Sequence, residues 1–107
     1  MYKLLLLVLL IVAPLVHAAD QPKKYIIDVR TDDEWNAGHI AEAIHIPLSD
    51  IKDKIAGAVK DKKAPIALYC ASGMRSGRAL RVLKDLGYEN VENLGSLAAA
   101  KKKLAQP

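Results

Sequence analysis

Phenylalanine is absent from this chain, and cysteine and tryptophan each occur only once. A single cysteine excludes an intramolecular disulfide framework and any zinc site built from several thiolates. Charge of neither sign dominates: the formal net charge is +4, which favours solubility and mild attraction to anions over a nucleic-acid role. There is no internal repeat and no low-complexity segment. A length of 107 residues accommodates one small domain and leaves little room for a second. What the chain does have is apolar residues, 51% of the total with only 5% aromatic. They are unevenly placed.

Much of the excess lies at the start, in MYKLLLLVLLIVAPLVHA. Lys3 supplies a positive n-region, Leu4 to Ala13 form an unbroken apolar run, and Pro14 then breaks a helix. Val16 and Ala18 occupy the −3 and −1 positions of a signal-peptidase site. A membrane span needs about 20 apolar residues, and this run is shorter. Residues 1–18 are therefore expected to be a cleaved secretory signal, leaving residues 19–107 as the exported domain. An uncleaved anchor is the rival reading and would be the chain's one membrane contact. With no cysteine in the segment, a lipoprotein anchor is excluded. Without the signal the apolar share falls to about 45%, ordinary for a globular domain.

Beyond a polar lead-in, short β-rich runs alternate with helical patterns. Tyr25 to Val29 reads as a buried strand. Thr31 and Glu34 form a capping box that starts a short helix ending near Gly38. His39-Ile40 and Ala43 to Ile46 read as extended pieces before Pro47. Ser49 is expected to cap a helix whose apolar positions are Ile51, Ile55, Ala58 and Val59. Pro65 to Tyr69 reads as a strand buried on both faces, with Cys70 at its carboxyl end. A tight loop, Ala71 to Arg75, leads to a helix expected to begin at Ser76 and to end at Gly87. A short strand around Val91 and a last helix over Ser96 to Leu104 complete an α/β chain with helices packed on a sheet.

Export sharpens the reading of Cys70. A thiol in an oxidising compartment is usually paired, and this one has no partner in its own chain. It joins chains, remains free and reactive, or is inertly buried. The segment Cys70-Ala71-Ser72-Gly73-Met74-Arg75-Ser76 favours the reactive thiol. A cysteine leaving a buried strand for a helix sits where open α/β sheets place their ligands. Loop amides can form an anion-binding nest around its sulfur, and the helix N-terminus and Arg75 add positive charge. Gly73 lets the backbone turn, and the Ser72 and Ser76 hydroxyls are candidate donors. Four residues between Cys70 and Arg75 close a compact ring, suited to one extra sulfur atom. One residue more would suit a tetrahedral phosphate, as in a cysteine phosphatase or arsenate reductase.

Cys-x-x-Gly-x-Arg-Ser at the end of a strand resembles the active-site loop of rhodanese-type sulfurtransferases. The likeness extends to Ile27-Asp28-Val29-Arg30 with Glu34, Gly38-His39-Ile40 and Ala43 to Pro47, and to Leu86-Gly87-Tyr88, Val91 and Leu94 to Leu97. It covers roughly residues 25–104. The resemblance implies a small rhodanese-like α/β domain, with a mostly parallel sheet and helices on both faces. It implies ping-pong sulfur transfer through a Cys70 persulfide, with Ala71, Ser72, Gly73, Met74, Arg75 and Ser76 binding the anion. The expected partners are thiosulfate or a similar donor and a thiol or cyanide acceptor, with no metal, organic cofactor or nucleic acid. A signal ahead of one such domain resembles exported single-domain rhodaneses, which implies a periplasmic monomer. A non-catalytic sulfur carrier or binding module is the alternative. Ala71 stands where many members carry a cationic or polar side chain.

Asp28 and Arg30, at another strand's carboxyl end, are candidates to line the same crevice. Their structural alternative is a buried aspartate fixing loops beside an Arg30–Glu34 ion pair. His39 and His45 lack a metal partner set and are expected to form loop or core hydrogen bonds. Trp35 is expected to cover the sheet edge, and Lys101 to Lys103 to form a solvated face suited to a helix C-terminus.

Overall fold

The computed structural model describes residues 23–106, so residues 1–18, read above as a signal, lie outside the described residues. Four strands, β1 (Tyr25–Asp28), β2 (Ile44–His45), β3 (Ile66–Cys70) and β4 (Val91–Ser96), form one sheet in the order β2-β1-β3-β4. Every neighbouring pair is parallel. Helices α1 (Asp32–Ala37), α2 (Ile51–Ala58), α3 (Met74–Asp85) and α4 (Leu97–Leu104) accompany the strands. The chain moves outward from β1 to β2, then returns to place β3 on β1's other side. That reversal opens a crevice at the carboxyl ends of β1 and β3.

All five residues of β3 are buried, as its apolar run requires of a central strand. Side chains alternate across the sheet. Ile66, Leu68 and Cys70 join Ile51 and Ile55 of α2 and Ala79 and Leu83 of α3 in the larger core. Ala67 and Tyr69 face the other way, with Leu94 and Ala100, where Leu97 and Leu104 of α4 pack. Helices thus cover both faces, and Cys70 belongs to the α2–α3 side.

Local signals explain most boundaries. Thr31 caps α1: its hydroxyl accepts from the Glu34 amide, and the Glu34 carboxylate accepts from the Thr31 amide. Past the end of α3, the Gly87 amide donates to Lys84 O and the Tyr88 amide to Leu83 O. These bonds satisfy the last carbonyls in a Schellman motif. Ser96 caps α4 by accepting from the Ala99 amide.

Four boundaries differ from expectation. Ser49 caps nothing; it lies within a 3-10 turn, Leu48–Asp50, that follows Pro47 and runs straight into α2. His39-Ile40 is not a strand, and the second extended piece shrinks to Ile44–His45 because only these two residues meet β1. Helix α3 starts at Met74 rather than Ser76, because Gly73 at φ +97° turns the chain directly from loop to helix. Gly95, directly ahead of the Ser96 cap of α4, also belongs to β4. The register moves from Leu68↔Asn93 to Tyr69↔Gly95, so Leu94 is the extra residue of a bulge.

Leu83 is fully buried between α3 and the sheet. Leu83→Ala is expected to lower unfolding free energy by about 2–5 kcal/mol, through lost burial and a residual cavity. Urea denaturation measures it, and a loss below about 1 kcal/mol would contradict this packing.

Candidate active site

Strand β3 carries Cys70 to the sheet's carboxyl edge and leaves it fully buried with a free thiol. Three exposed or half-buried residues, Ala71, Ser72 and Gly73, then separate it from α3. Because α3 begins at Met74, Ser76 is its third residue. The first amides of a helix have no partner within it. The Ser76 amide is instead directed at the Cys70 sulfur, with N to Sγ 3.4 Å. The Gly73 amide donates to Sγ at 2.9 Å, and the Ser76 hydroxyl lies 3.3 Å from it. Burial alone would push the thiol up, but the Ser76 hydroxyl and the amides of Ser76, Ser72 and Gly73 outweigh it. The net effect holds the thiol below its ordinary value, favouring the nucleophilic thiolate.

Not every residue of the loop faces the sulfur. Met74 is 68% exposed and points to solvent. Ala71 is exposed and brings no side-chain donor. The Arg75 guanidinium does not hydrogen-bond the thiol; it forms two bonds to Glu34, Nη1 to Oε1 at 2.7 Å and Nη2 to Oε2 at 2.9 Å. The same Glu34 carboxylate closes the capping box of α1, so one side chain ties α1 to the first turn of α3. The Arg75 bond is the main cause holding the Glu34 carboxyl down to about 2.

Asp28 and Arg30 are likewise committed to each other. Arg30 Nε bonds both Asp28 oxygens, its Nη2 reaches Asp28 Oδ2 at 2.8 Å, and its amide donates to Asp28 Oδ1. Nη2 also donates to Gly38 O at 2.6 Å, pinning the end of α1. The expected Arg30–Glu34 pair is therefore replaced by Arg30–Asp28 and Arg75–Glu34. Burial would raise the Asp28 carboxyl, yet Arg30 brings it below its usual range. Neither residue hydrogen-bonds Cys70.

Trp35 stacks between two histidines, with ring centroids 3.4 Å from His39 and 4.7 Å from His45. His39 Nδ1 pairs with Trp35 O and His45 Nε2 with Arg30 O, both at 2.8 Å, so both rings serve loop structure. Among the described residues, no group of three or more His, Cys, Asp or Glu is gathered to hold a metal. A cleft of about 320 Å³ lies between the α1–β2 connection and α4, lined by His39, Glu42 and Lys101 among others, and includes no residue of the Cys70 loop.

Sequence reasoning missed Asn93, which β4 sets beside the loop. Its Nδ2 donates to Gly73 O at 2.9 Å, and its Oδ1 accepts from Ser76 Oγ at 2.6 Å and from the Gly95 amide at 2.9 Å. The available signal was positional: a polar residue two before a glycine, near the carboxyl end of the strand beside β3. Gly73 and Gly95 lie close together: a Cβ on Gly73 would stand 3.4 Å from the Gly95 Cα.

The profile of the rhodanese-like domain family matches residues 13–103. The thiosulfate sulfurtransferase PspE of Escherichia coli strain K12 is 42% identical over 81 residues, 76% of this chain and 74% of that one. The putative sulfurtransferase YtwF of Bacillus subtilis strain 168 is 39% identical over 75 residues, 70% of this chain and 71% of that one. A solved rhodanese with anions from E. coli is 40% identical. It superposes with a TM-score of 0.70, covering 79% of this chain and 95% of that one.

The Glu34–Arg75 pair makes an acid-stability prediction. Glu34 ionises at about 2 when folded against an ordinary 4.5, so its stabilisation is complete above 4.5 and is lost as pH falls toward 2. Urea unfolding across that window should show Glu34→Gln losing less stability on acidification than the wild type. Asp28, whose carboxyl is also lowered, is unchanged in both proteins. Equal slopes would show that the pair contributes nothing.

Proposed function

The chain belongs to the rhodanese family of sulfurtransferases, and on that premise we propose that it moves sulfur from thiosulfate or a related sulfane donor to a thiophilic acceptor through a Cys70 persulfide. The observation that carries this reading is the convergence of the Gly73 amide, the Ser76 amide and the Ser76 hydroxyl on one buried sulfur. The Cys70 thiolate attacks the outer sulfur of thiosulfate. The donor's S–S bond breaks, sulfite departs with the electron pair, and an anionic persulfide remains on Cys70. Amides already aimed at the sulfur meet that charge without reorganising. Cyanide or a thiolate then attacks the outer sulfur and carries it away, restoring the Cys70 thiolate.

Cys70 is fully buried beneath the exposed Ala71-Ser72 turn, which stands between its sulfur and solvent. Arg75 and Arg30 supply no unpaired cation to the sulfur, so backbone dipoles supply the attraction. The protein acts outside the cytoplasm, exported by residues 1–18 and working in the periplasm as a monomer of residues 19–107. This rests on the Lys3, apolar-run and Ala18 pattern of the sequence.

Treating the purified protein with thiosulfate should add about 32 Da to Cys70 by intact mass, and subsequent cyanide should remove it as thiocyanate. Cys70→Ser should abolish both. Thiocyanate release surviving that substitution would refute the role of Cys70, and sulfur uptake without release would describe a carrier instead. N-terminal sequencing of the protein from its native envelope should begin at Ala19; an intact Met1 would overturn the cleavage.

A further inference from the structure

Loop amides can face a sulfur only if the loop itself is held, and nothing in the Ala71–Gly73 turn holds itself. Gly73 is left-handed and half-buried, and its amide makes the shortest contact to Sγ at 2.9 Å. The carbonyl of the same residue accepts the first helical bond, from the Gly77 amide at 3.0 Å. It also accepts from Asn93 Nδ2 at 2.9 Å, a side chain reaching from a different strand. On the other side of Asn93, Oδ1 lies 2.6 Å from the Ser76 hydroxyl. One amide side chain therefore grips two of the residues that donate to the sulfur, Gly73 and Ser76. Its orientation is fixed by its partners, since Oδ1 faces two donors and Nδ2 faces a carbonyl.

We propose that Asn93 is a positioning residue for sulfur transfer, holding Gly73 so that its amide meets whatever sulfur Cys70 carries and accepting the Ser76 hydroxyl until that sulfur is anionic. The proposal rests on the persulfide reading and names what sustains its anion site.

The Ser76 hydroxyl has one proton and two acceptors in reach, Asn93 Oδ1 at 2.6 Å and Cys70 Sγ at 3.3 Å. With the thiol protonated, S–H can point to Ser76 Oγ while the hydroxyl donates to Asn93. When the sulfur is anionic, the hydroxyl turns to it. Asn93 Oδ1 keeps the Gly95 amide at 2.9 Å in either arrangement, so the turn orphans no acceptor. The parallel pairing of Asn93 with Leu68 fixes where Asn93 stands relative to β3, and the bulge that follows brings Gly95, whose amide Asn93 Oδ1 accepts, opposite Tyr69. Charged groups nearby are already paired, Arg75 with Glu34 from α1 and Arg30 with Asp28 from β1, so the sulfur depends on these dipoles.

The test reads Cys70 directly, through the pH dependence of its alkylation by iodoacetamide, alongside steady-state transfer from thiosulfate to cyanide. Asn93→Ala should move the alkylation midpoint to higher pH, cutting the reactive thiolate at a given lower pH by about threefold or more. It should lower kcat by about tenfold while changing KM for thiosulfate less than about twofold. A midpoint that stays put or falls in folded Asn93→Ala, with an unchanged thermal midpoint, would overturn the proposal. If the alanine variant does not fold, Asn93→Ser is the neutral alternative, retaining a hydroxyl but losing the amide group that reaches Gly73 O and Ser76 Oγ together. Its alkylation midpoint should likewise rise, and an unmoved one would overturn the proposal. Alkylation requires no sulfur transfer, so a wild type that takes up no sulfur would defeat the persulfide reading while leaving the role of Asn93 decided by the midpoint.

Discussion

The bond from the Gly73 amide to the Cys70 sulfur is the contact on which this architecture turns. A sulfur fully removed from water resists ionisation, because burial penalises the charged form. Yet the chain ends its central strand on that sulfur and closes a helix over it. The conflict is resolved by backbone dipoles: amides that a loop and a helix start would otherwise leave unpaired are spent on the thiol. This solution fixes much else. Residue 73 must turn left-handed, α3 must begin immediately after it, and β4 must approach closely enough to support the turn.

Full charges are arranged around this centre but spend their hydrogen bonds on carboxylates rather than on the sulfur. Arg75 could have provided a cation at the sulfur, and instead it binds Glu34 through both guanidinium nitrogens. Arg30 is held by Asp28 and Gly38 in the same manner. A free cation near the thiolate would attract anionic donors, but it would also stabilise the thiolate ground state against attack. Amide donors follow the sulfur's charge from thiolate to persulfide, whereas a fixed ion pair serves shape: it locks α1 to α3 across the mouth of the crevice. In this division, electrostatics of the site comes from the backbone and its rigidity from the side-chain ions.

What the sequence revealed follows the range of each interaction. The Thr31–Glu34 capping box, the buried run leading to Cys70, Gly87 at the end of α3 and Ser96 at the start of α4 are all local, and each could be read from neighbours in the chain. Parallel order and two-sided helices followed from the alternation and from the rhodanese resemblance. The failures were of two kinds. Ser49 and Ser76 were read as helix starts because serine favours caps, but Pro47 and the left-handed Gly73 set those boundaries earlier. The Arg75–Glu34 pair was missed because charge pairing over 41 residues leaves no local trace. Proximity in the chain made Glu34 the apparent partner of Arg30, while the two-residue pair Asp28–Arg30 was overlooked.

Asn93 shows why the remainder was invisible. Its neighbours in sequence mark it only as a polar residue in a short strand. Its significance depends on β4 pairing with β3 in a register that no local pattern announces. Had β4 run without the extra residue, the one-residue register slip would have turned one stretch of the strand to the opposite face of the sheet relative to β3. Asn93, paired with Leu68 just before the bulge, stands on the α3 side, while its neighbour Leu94 fills the core on the α4 side. Alternation therefore reconciles two demands on one strand, apolar packing beneath the sheet and polar support at its edge. Here the loop that cradles the sulfur is held by a side chain of the neighbouring strand, through the bond from Asn93 Nδ2 to Gly73 O.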